Sequence, residues 1–293
     1  MHKYASAVFD YFLEDSLKHA KYFIIATLFA VLALPAFAAG GQDGVSKLAQ
    51  VKKAGKLVIG TSADYPPYEF HSLAGGKDVI VGFDIAIAQE IATDLGVKLE
   101  IKDMQFDGLL AALQAGNIDI VISGMTPTDE RKLSVDFSTI YYYAIQGVMV
   151  RAADKDKYST VEALKGARLS AQKGTIQVGI AKKQILGLSD AEAEKDSAQV
   201  KELGTIKNLV LDLKNGKVDA IVAELPVAAA YVGKNADLAI AAPTFKDDDG
   251  GSAVAVKKGN ADLLGAVNKT LDRLMAAKTI DQFVADANEL VEN

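Results

Sequence analysis

Residues 113–124, LQAGNIDIVISG, return without gaps as LKNGKVDAIVAE at 213–224. Leu113, Gly116 and Asp119 correspond to Leu213, Gly216 and Asp219, an offset of 100 residues. Each copy carries the last turn of a helix, a glycine that stops it, and an apolar run that reads as a buried strand. Helix–glycine–strand units are common in α/β proteins, so three identities also fit coincidence. The structural reading is preferred. It predicts two similar domains in which the residues just behind each buried strand sit at equivalent places.

Short β-branched runs alternate with helical patterns through most of the chain, which predicts an α/β fold with largely parallel sheets. Residues 56–61, KLVIGT, read as a strand. Asp84 is placed to cap a helix whose apolar face is Ile85, Ala88, Ile91, Ala92 and Leu95, stopped by Gly96. VKLEIKDM reads as a second strand, Leu109, Leu110 and Leu113 mark a helix ended by Gly116, and IDIVIS is a third, fully buried strand. This β-α-β-α-β order is one doubly wound half. A second pass begins near residue 145 with the strand AIQGVMV. Ser159 and Glu162 then form a capping box before a short helix, ARLSAQ is the next strand, and 175–186 read as helical. The C-terminal stretch is helical by periodicity and is assigned to the first lobe.

A chain of 293 residues, half of them hydrophobic, can bury one large or two medium domains. Net charge is −6 with a pI near 5.2, and no block of Lys and Arg interrupts the chain, which argues against nucleic acid or an anionic membrane as partner. With no cysteine there is no disulfide framework, thiolate nucleophile or lipidated cysteine anchor. Residues 22–37, YFIIATLFAVLALPAF, follow Lys18 and Lys21 and lead into Ala36-Phe37-Ala38. They read as a secretory signal peptide over residues 1–38; an uncleaved anchor is the alternative, but the run contains Pro35 and is shorter than the roughly 20 residues a span needs. The segment 1–17 is longer than a signal requires and receives no role. Removing His2 and His19 with the signal leaves His71 as the mature histidine, so no metal and no cofactor are expected.

In open parallel sheets the ligand crevice lies beyond the carboxyl ends of the strands. Behind VIGT stand Ser62, Asp64, Tyr65, Tyr68 and Glu69; behind EIKDM stands Phe106. Behind IDIVIS come Ser123, Gly124, Met125, Thr126 and Arg131; behind LSAQ, Lys173, Gly174, Thr175 and Gln177; behind VDAIVA, Glu224. A guanidinium takes a carboxylate bidentately, and backbone N–H groups near Thr126 and Thr175 can add donors. Glu224 with the Ser123 and Thr126 hydroxyls can accept from an ammonium, while Tyr65 and Phe106 can hold a side chain between aromatic faces. Together these suit a zwitterion. Each residue also has a plainer reading: Arg131 in a surface charge cluster, Phe106 in the core, Tyr65 packed on prolines, Glu224 as a helix cap. Asp247-Asp248-Asp249 reads as a solvated turn without calcium-loop spacing, and His71 as an exposed loop residue.

The ordered set DYPPYEF, GFDIAIAQEIA, FDGLLAALQAGNIDIVISGMTPTDERK, VDFS, QKGT and VDAIVAELPVA resembles the polar amino-acid-binding proteins of ABC importers, the bacterial extracellular solute-binding proteins of family 3. The likeness runs over roughly residues 56–285. It implies a two-lobed periplasmic binding protein type II fold, two doubly wound sheets joined by two crossover strands, with lobe 1 from 39–144 and 246–293 and lobe 2 from 145–245. It implies a ligand site of Tyr65, Phe106, Ser123, Gly124, Thr126, Arg131, Thr175, Gln177 and Glu224. In that site Arg131, Thr126 and Thr175 take the α-carboxylate, Glu224, Ser123 and the Gly124 carbonyl take the α-ammonium, and Gln177 lies on the second-lobe wall. The implied protein is a periplasmic monomer that delivers a basic or amide amino acid to the membrane subunits of an importer, with no catalysis. Ser62, where some basic-amino-acid binders of the family carry Asp, and Ile176, where a polar residue is frequent, depart from the pattern; Asp64 and Glu69 remain as acids near the side-chain end. Two competing readings are a cyclohexadienyl dehydratase-like enzyme on the same fold, which needs a general acid in the cleft, and a sensing module.

Overall fold

The computed structural model of the chain describes residues 45–73, 76–246 and 250–292. The expected signal segment and the acidic turn at 247–249 lie outside these residues. Helix Lys47–Ala54, capped by the Ser46 hydroxyl on the Ala49 N–H, leads through the left-handed Gly55 into β1 (Lys56–Thr61). A small antiparallel ribbon follows: β2 (Asp64–Tyr65), β3 (Glu69–Ser72) and β4 (Val79–Val81). Then come helix Phe83–Leu95, β5 (Lys98–Asp103), helix Leu109–Gln114, β6 (Ile120–Val121) and β7 (Val135–Tyr142). The second lobe holds β8 (Gln146–Arg151), β9 (Leu169–Gln172), β10 (Val200–Leu203), β11 (Ala220–Glu224) and β12 (Leu238–Ile240). The chain then returns as β13 (Ser252–Lys257), followed by helices Ala261–Ala276 and Thr279–Glu292.

The two main sheets have one design. The first runs β5-β1-β6-β13-β7 and the second β10-β9-β11-β8-β12. In each, the first three strands are parallel, and the fourth pairs antiparallel with the neighbour on either side. The sheets are therefore mixed rather than largely parallel, because β13 and β8 each enter from the other lobe and so run against the strands they join. The two connections between lobes, 143–145 and 241–251, pass side by side where Gln146 and Phe245 exchange backbone hydrogen bonds of 3.1 and 2.9 Å.

The offset of 100 has a structural counterpart. Gly116 and Gly216 both adopt a left-handed backbone, with φ of 77° and 70°, and both donate to the leucine three residues back at 3.1 Å. The Asp119 N–H donates to Val58 O at 2.7 Å while its Oδ2 accepts from the Val58 N–H at 2.8 Å. Asp219 does the same with Arg168, at 2.8 and 3.1 Å. Each aspartate thus ties the start of its own strand to the start of its parallel neighbour. Leu57, Ile59, Ile87, Ile91 and Ile120 form part of the core on one face of the first sheet; burying such side chains contributes about 1.5–3 kcal/mol each before ordering costs.

Local expectations needed four corrections. Helix Phe83–Leu95 is capped at Gly82, and the Asp84 carboxylate turns inward, where the Gly124 N–H and the Tyr141 hydroxyl reach it at 2.8 and 2.9 Å. The short helix Val161–Leu164 is capped by Thr160, one residue later than Ser159, because the Thr160 hydroxyl accepts the Ala163 N–H. The apolar run 118–123 is buried throughout, but only Ile120–Val121 pair as a strand. His71 belongs to β3, exposed, between Asp78 at 2.8 Å and Asp103 at 3.2 Å.

Candidate ligand-binding site

The strands β1, β6, β9 and β11 end at the seam between the lobes. Eight of the nine expected ligand residues, Tyr65, Phe106, Ser123, Gly124, Thr126, Arg131, Thr175 and Gln177, line one nearly closed cavity there, with about 10 Å³ of free room. Glu224 does not line it. It is buried at the end of β11, and its charge acts on the hydroxyls of Tyr65 and Tyr68. Both phenols are held well above their ordinary pKa, first by burial and then by that carboxylate.

Arg131 sits on the single helical turn Asp129–Lys132, whose start is fixed by the Thr128 hydroxyl accepting the Arg131 N–H. Its guanidinium carbon lies 5.3 Å from the centre of the Phe106 ring, a cation–π distance. Nη1 donates to the Thr126 carbonyl at 2.8 Å and Nη2 to the Gly174 carbonyl, in the second lobe, at 2.9 Å. One side chain therefore touches both walls. Across the same seam Lys173 pairs with Asp107 at 3.1 Å.

Thr175 starts helix Ile176–Gly179, but its N–H points at the Gln172 carbonyl at 3.3 Å, and its hydroxyl donates there too at 2.7 Å. The expected backbone donor at this position is thus turned inward. Gln177 Nε2 donates to Gln146 Oε1 at 2.8 Å and lies 3.5 Å from the Tyr65 hydroxyl. Ser123 Oγ accepts the Ser62 N–H at 3.1 Å and donates to Glu69 Oε1 at 2.5 Å.

Four wall residues were not in the expected set: Ser62, Glu69, Gln172 and Ile176. Gln172 is the last residue of β9, so the strand-end rule already pointed to it. The two acids named near the side-chain end separate. Glu69 faces the cavity, whereas Asp64 lines a wider adjoining hollow of about 1140 Å³ and spends its carboxylate on the Ile206 N–H of the second lobe at 2.5 Å. Asp64 is pushed up to about 6 by burial, against the pull of that hydrogen bond. The site as a whole offers a guanidinium, hydroxyls, two aromatic faces and an acidic floor.

Residues 57–286 match the family model of the bacterial extracellular solute-binding proteins, family 3. The chain belongs to this family. Among curated relatives of this solute-binding protein, the arginine-binding extracellular protein ArtP of Bacillus subtilis is 36% identical over 220 residues, 75% of this chain and 80% of the relative. The L-cystine-binding protein TcyJ of Escherichia coli is 32% identical over 234 residues, 80% of this chain and 82% of the relative. A crystal structure of an amino acid ABC transporter substrate-binding protein from Streptococcus pneumoniae bound to L-arginine superposes with a TM-score of 0.77 at 39% identity, covering 83% of this chain and 98% of that one. These relatives are binding proteins by name, and they lend the dehydratase-like alternative no support. Among the described residues no helix is long and apolar enough to cross a membrane.

Proposed function

We propose that this solute-binding protein captures a polar L-amino acid with a basic or amide side chain between its lobes, outside the cytoplasmic membrane, and delivers it to the membrane subunits of an ABC importer. The observation that carries this reading is Arg131, stacked on Phe106 and reaching from the Thr126 carbonyl to the Gly174 carbonyl. A carboxylate entering here meets a guanidinium shared by both walls, so binding and closure are one event. The ammonium falls to Ser123 and Thr126, with the Glu224 charge behind that wall, and the side chain to Tyr65 and Phe106. Arginine-binding and L-cystine-binding relatives support an amino-acid ligand without choosing the side chain.

A thermal-shift screen of the twenty amino acids plus ornithine and citrulline, followed by calorimetry on the hits, tests the reading. Arg131→Ala leaves a buried carboxylate unpaired, a loss of about 4 kcal/mol or roughly a thousandfold in affinity. Arg131→Lys weakens binding as well, because an ammonium lacks the planar fork. Undiminished affinity in Arg131→Ala, or no hit in the screen, overturns it.

A further inference from the structure

Glu69 and Asp84 lie against the floor of the cavity, both fully buried, on two different elements: β3 and helix Phe83–Leu95. Three of the pair's polar contacts have evident donors. Glu69 Oε1 accepts the Ser123 hydroxyl, and Asp84 Oδ2 accepts both the Gly124 N–H and the Tyr141 hydroxyl. The other two oxygens, Glu69 Oε2 and Asp84 Oδ1, are buried and meet no N–H or O–H donor. Yet the two carboxyl groups act directly on each other, and two bare carboxylates placed so would repel. Something must supply a hydrogen, and the one position left for it is between Oε2 and Oδ1.

We propose that Glu69 and Asp84 hold a single shared proton beneath the ligand site, and that this proton fixes the Ser123 hydroxyl as a hydrogen-bond acceptor for the ligand. A serine hydroxyl has one hydrogen and two lone pairs. Its hydrogen goes to Glu69 Oε1 and one lone pair to the Ser62 N–H. The remaining lone pair is on the residue that lines the cavity, able to take an ammonium N–H and unable to donate to a carboxylate. Glu69 and Asp84 are thus positioning residues, acting through Ser123 and Gly124; this consequence for the ligand rests on the amino-acid reading above, whereas the shared proton does not.

The surroundings hold the proton in place. Burial, and then the neighbouring Asp84 charge, keep Glu69 well above the usual carboxylate range, while Asp84 is raised to about 6 by burial. Tyr141, Tyr65 and Asp64 also act on the pair, Glu224 acts on Tyr141 in turn, and the Arg131 guanidinium lines the same cavity as Glu69. With no other donor for Glu69 Oε2 or Asp84 Oδ1, the pair carries one proton and one negative charge.

An infrared difference spectrum between wild type and Glu69→Gln at pH 8 tests this directly. A protonated-carboxyl band present in wild type and absent from the variant is expected; its absence from wild type overturns the proposal. Amide substitutions give a second test, since each supplies one fixed hydrogen. Glu69→Gln and Asp84→Asn alone replace the shared proton and unfold within about 3 °C of wild type, whereas the double variant opposes two donors and unfolds roughly 6 °C lower. A double variant no worse than either single one overturns the shared proton. For the ligand, calorimetry with L-arginine and L-glutamine compares Glu69→Gln with Glu69→Leu: the amide keeps wild-type affinity within threefold and the leucine loses at least tenfold. Equal losses in both variants overturn the positioning role. If wild type binds no amino acid at all, the functional reading fails instead, and the infrared and paired-variant results still decide the proton.

Discussion

Asp119 and Asp219 occupy matching places, yet their charges are met differently. Asp119 pairs with Lys47 at 2.5 Å. Asp219 is gripped by two guanidiniums, from Arg168 at 2.7 Å and Arg151 at 2.9 Å, as well as the Arg168 N–H. Those hydrogen bonds, with Arg168 first, hold the Asp219 carboxyl well below its usual range despite partial burial. A depressed carboxyl pKa adds stability that is complete above the unfolded value, about 4, and is lost as pH falls through the folded one. Asp219→Asn should therefore cost about 2 kcal/mol at pH 7, leaving two arginines facing an amide, and less at pH 3, as read from denaturant midpoints. A deficit that does not shrink in acid would remove the linkage. The importance of Asp219 was legible because it recurs at the offset of Asp119. Asp84 was misread for a related reason: an acid at the start of an apolar helix signals a cap, and nothing local reveals that Glu69, Gly124 and Tyr141 surround it.

Helix Ile206–Lys214 begins in the second lobe, but its first N–H is taken by Asp64 of the first, alongside the Thr205 hydroxyl on the Asn208 N–H. Gln172 and Ser62 reach the other Asp64 oxygen at 3.4 and 3.2 Å, and the Tyr231 hydroxyl donates to its carbonyl at 2.9 Å. The contact favours the helix start electrostatically, but burying the charge costs more, which is why the carboxyl rises to about 6. A group whose pKa is raised on folding binds more protons in the native state than in the unfolded one. Its share of stability is complete below about pH 4 and declines as pH climbs through 6. Asp64→Asn keeps an acceptor for the Ile206 N–H without the charge. Relative to wild type it should gain on the order of 2–3 kcal/mol between pH 4 and pH 7. Denaturant unfolding at several pH values checks this, and parallel curves for the two proteins would reject it. The Asp84 contribution, of the same sign, is common to both. The sequence named the strands and helices that meet here from their periodicity. It could not name the contact, because Asp64 and Ile206 are 142 residues apart and no repeat or motif links them.

Two lobes of one design were readable from the repeated helix–glycine–strand unit, since burying the same strand between the same neighbours demands the same residues. How closely they approach was not, because that depends on small residues facing across the seam. Gly174 is the sharpest case. Its φ is +78°, and a Cβ there would lie 2.9 Å from Asp107 Cβ and 3.1 Å from Asp107 Cα on the opposite lobe. The left-handed backbone disfavours any L side chain by about 1 kcal/mol, and the clash falls mostly on backbone that cannot rotate away. Gly174 also supplies the carbonyl that receives Arg131. In Gly174→Ala each lobe keeps its own core, so the lowest-cost response is for the lobes to part by a fraction of an ångström to an ångström or so. Separation weakens every interaction that needs both walls, and the ligand-bound closed form loses most. Calorimetry should show at least about a tenfold loss of amino-acid affinity, about 1.4 kcal/mol, and small-angle scattering should show a larger radius of gyration for the ligand-saturated variant than for ligand-saturated wild type. Thermal stability of the free protein should fall far less than affinity does. If Gly174→Ala binds as tightly and scatters as compactly as wild type, close approach of the lobes at this glycine is not what secures the ligand.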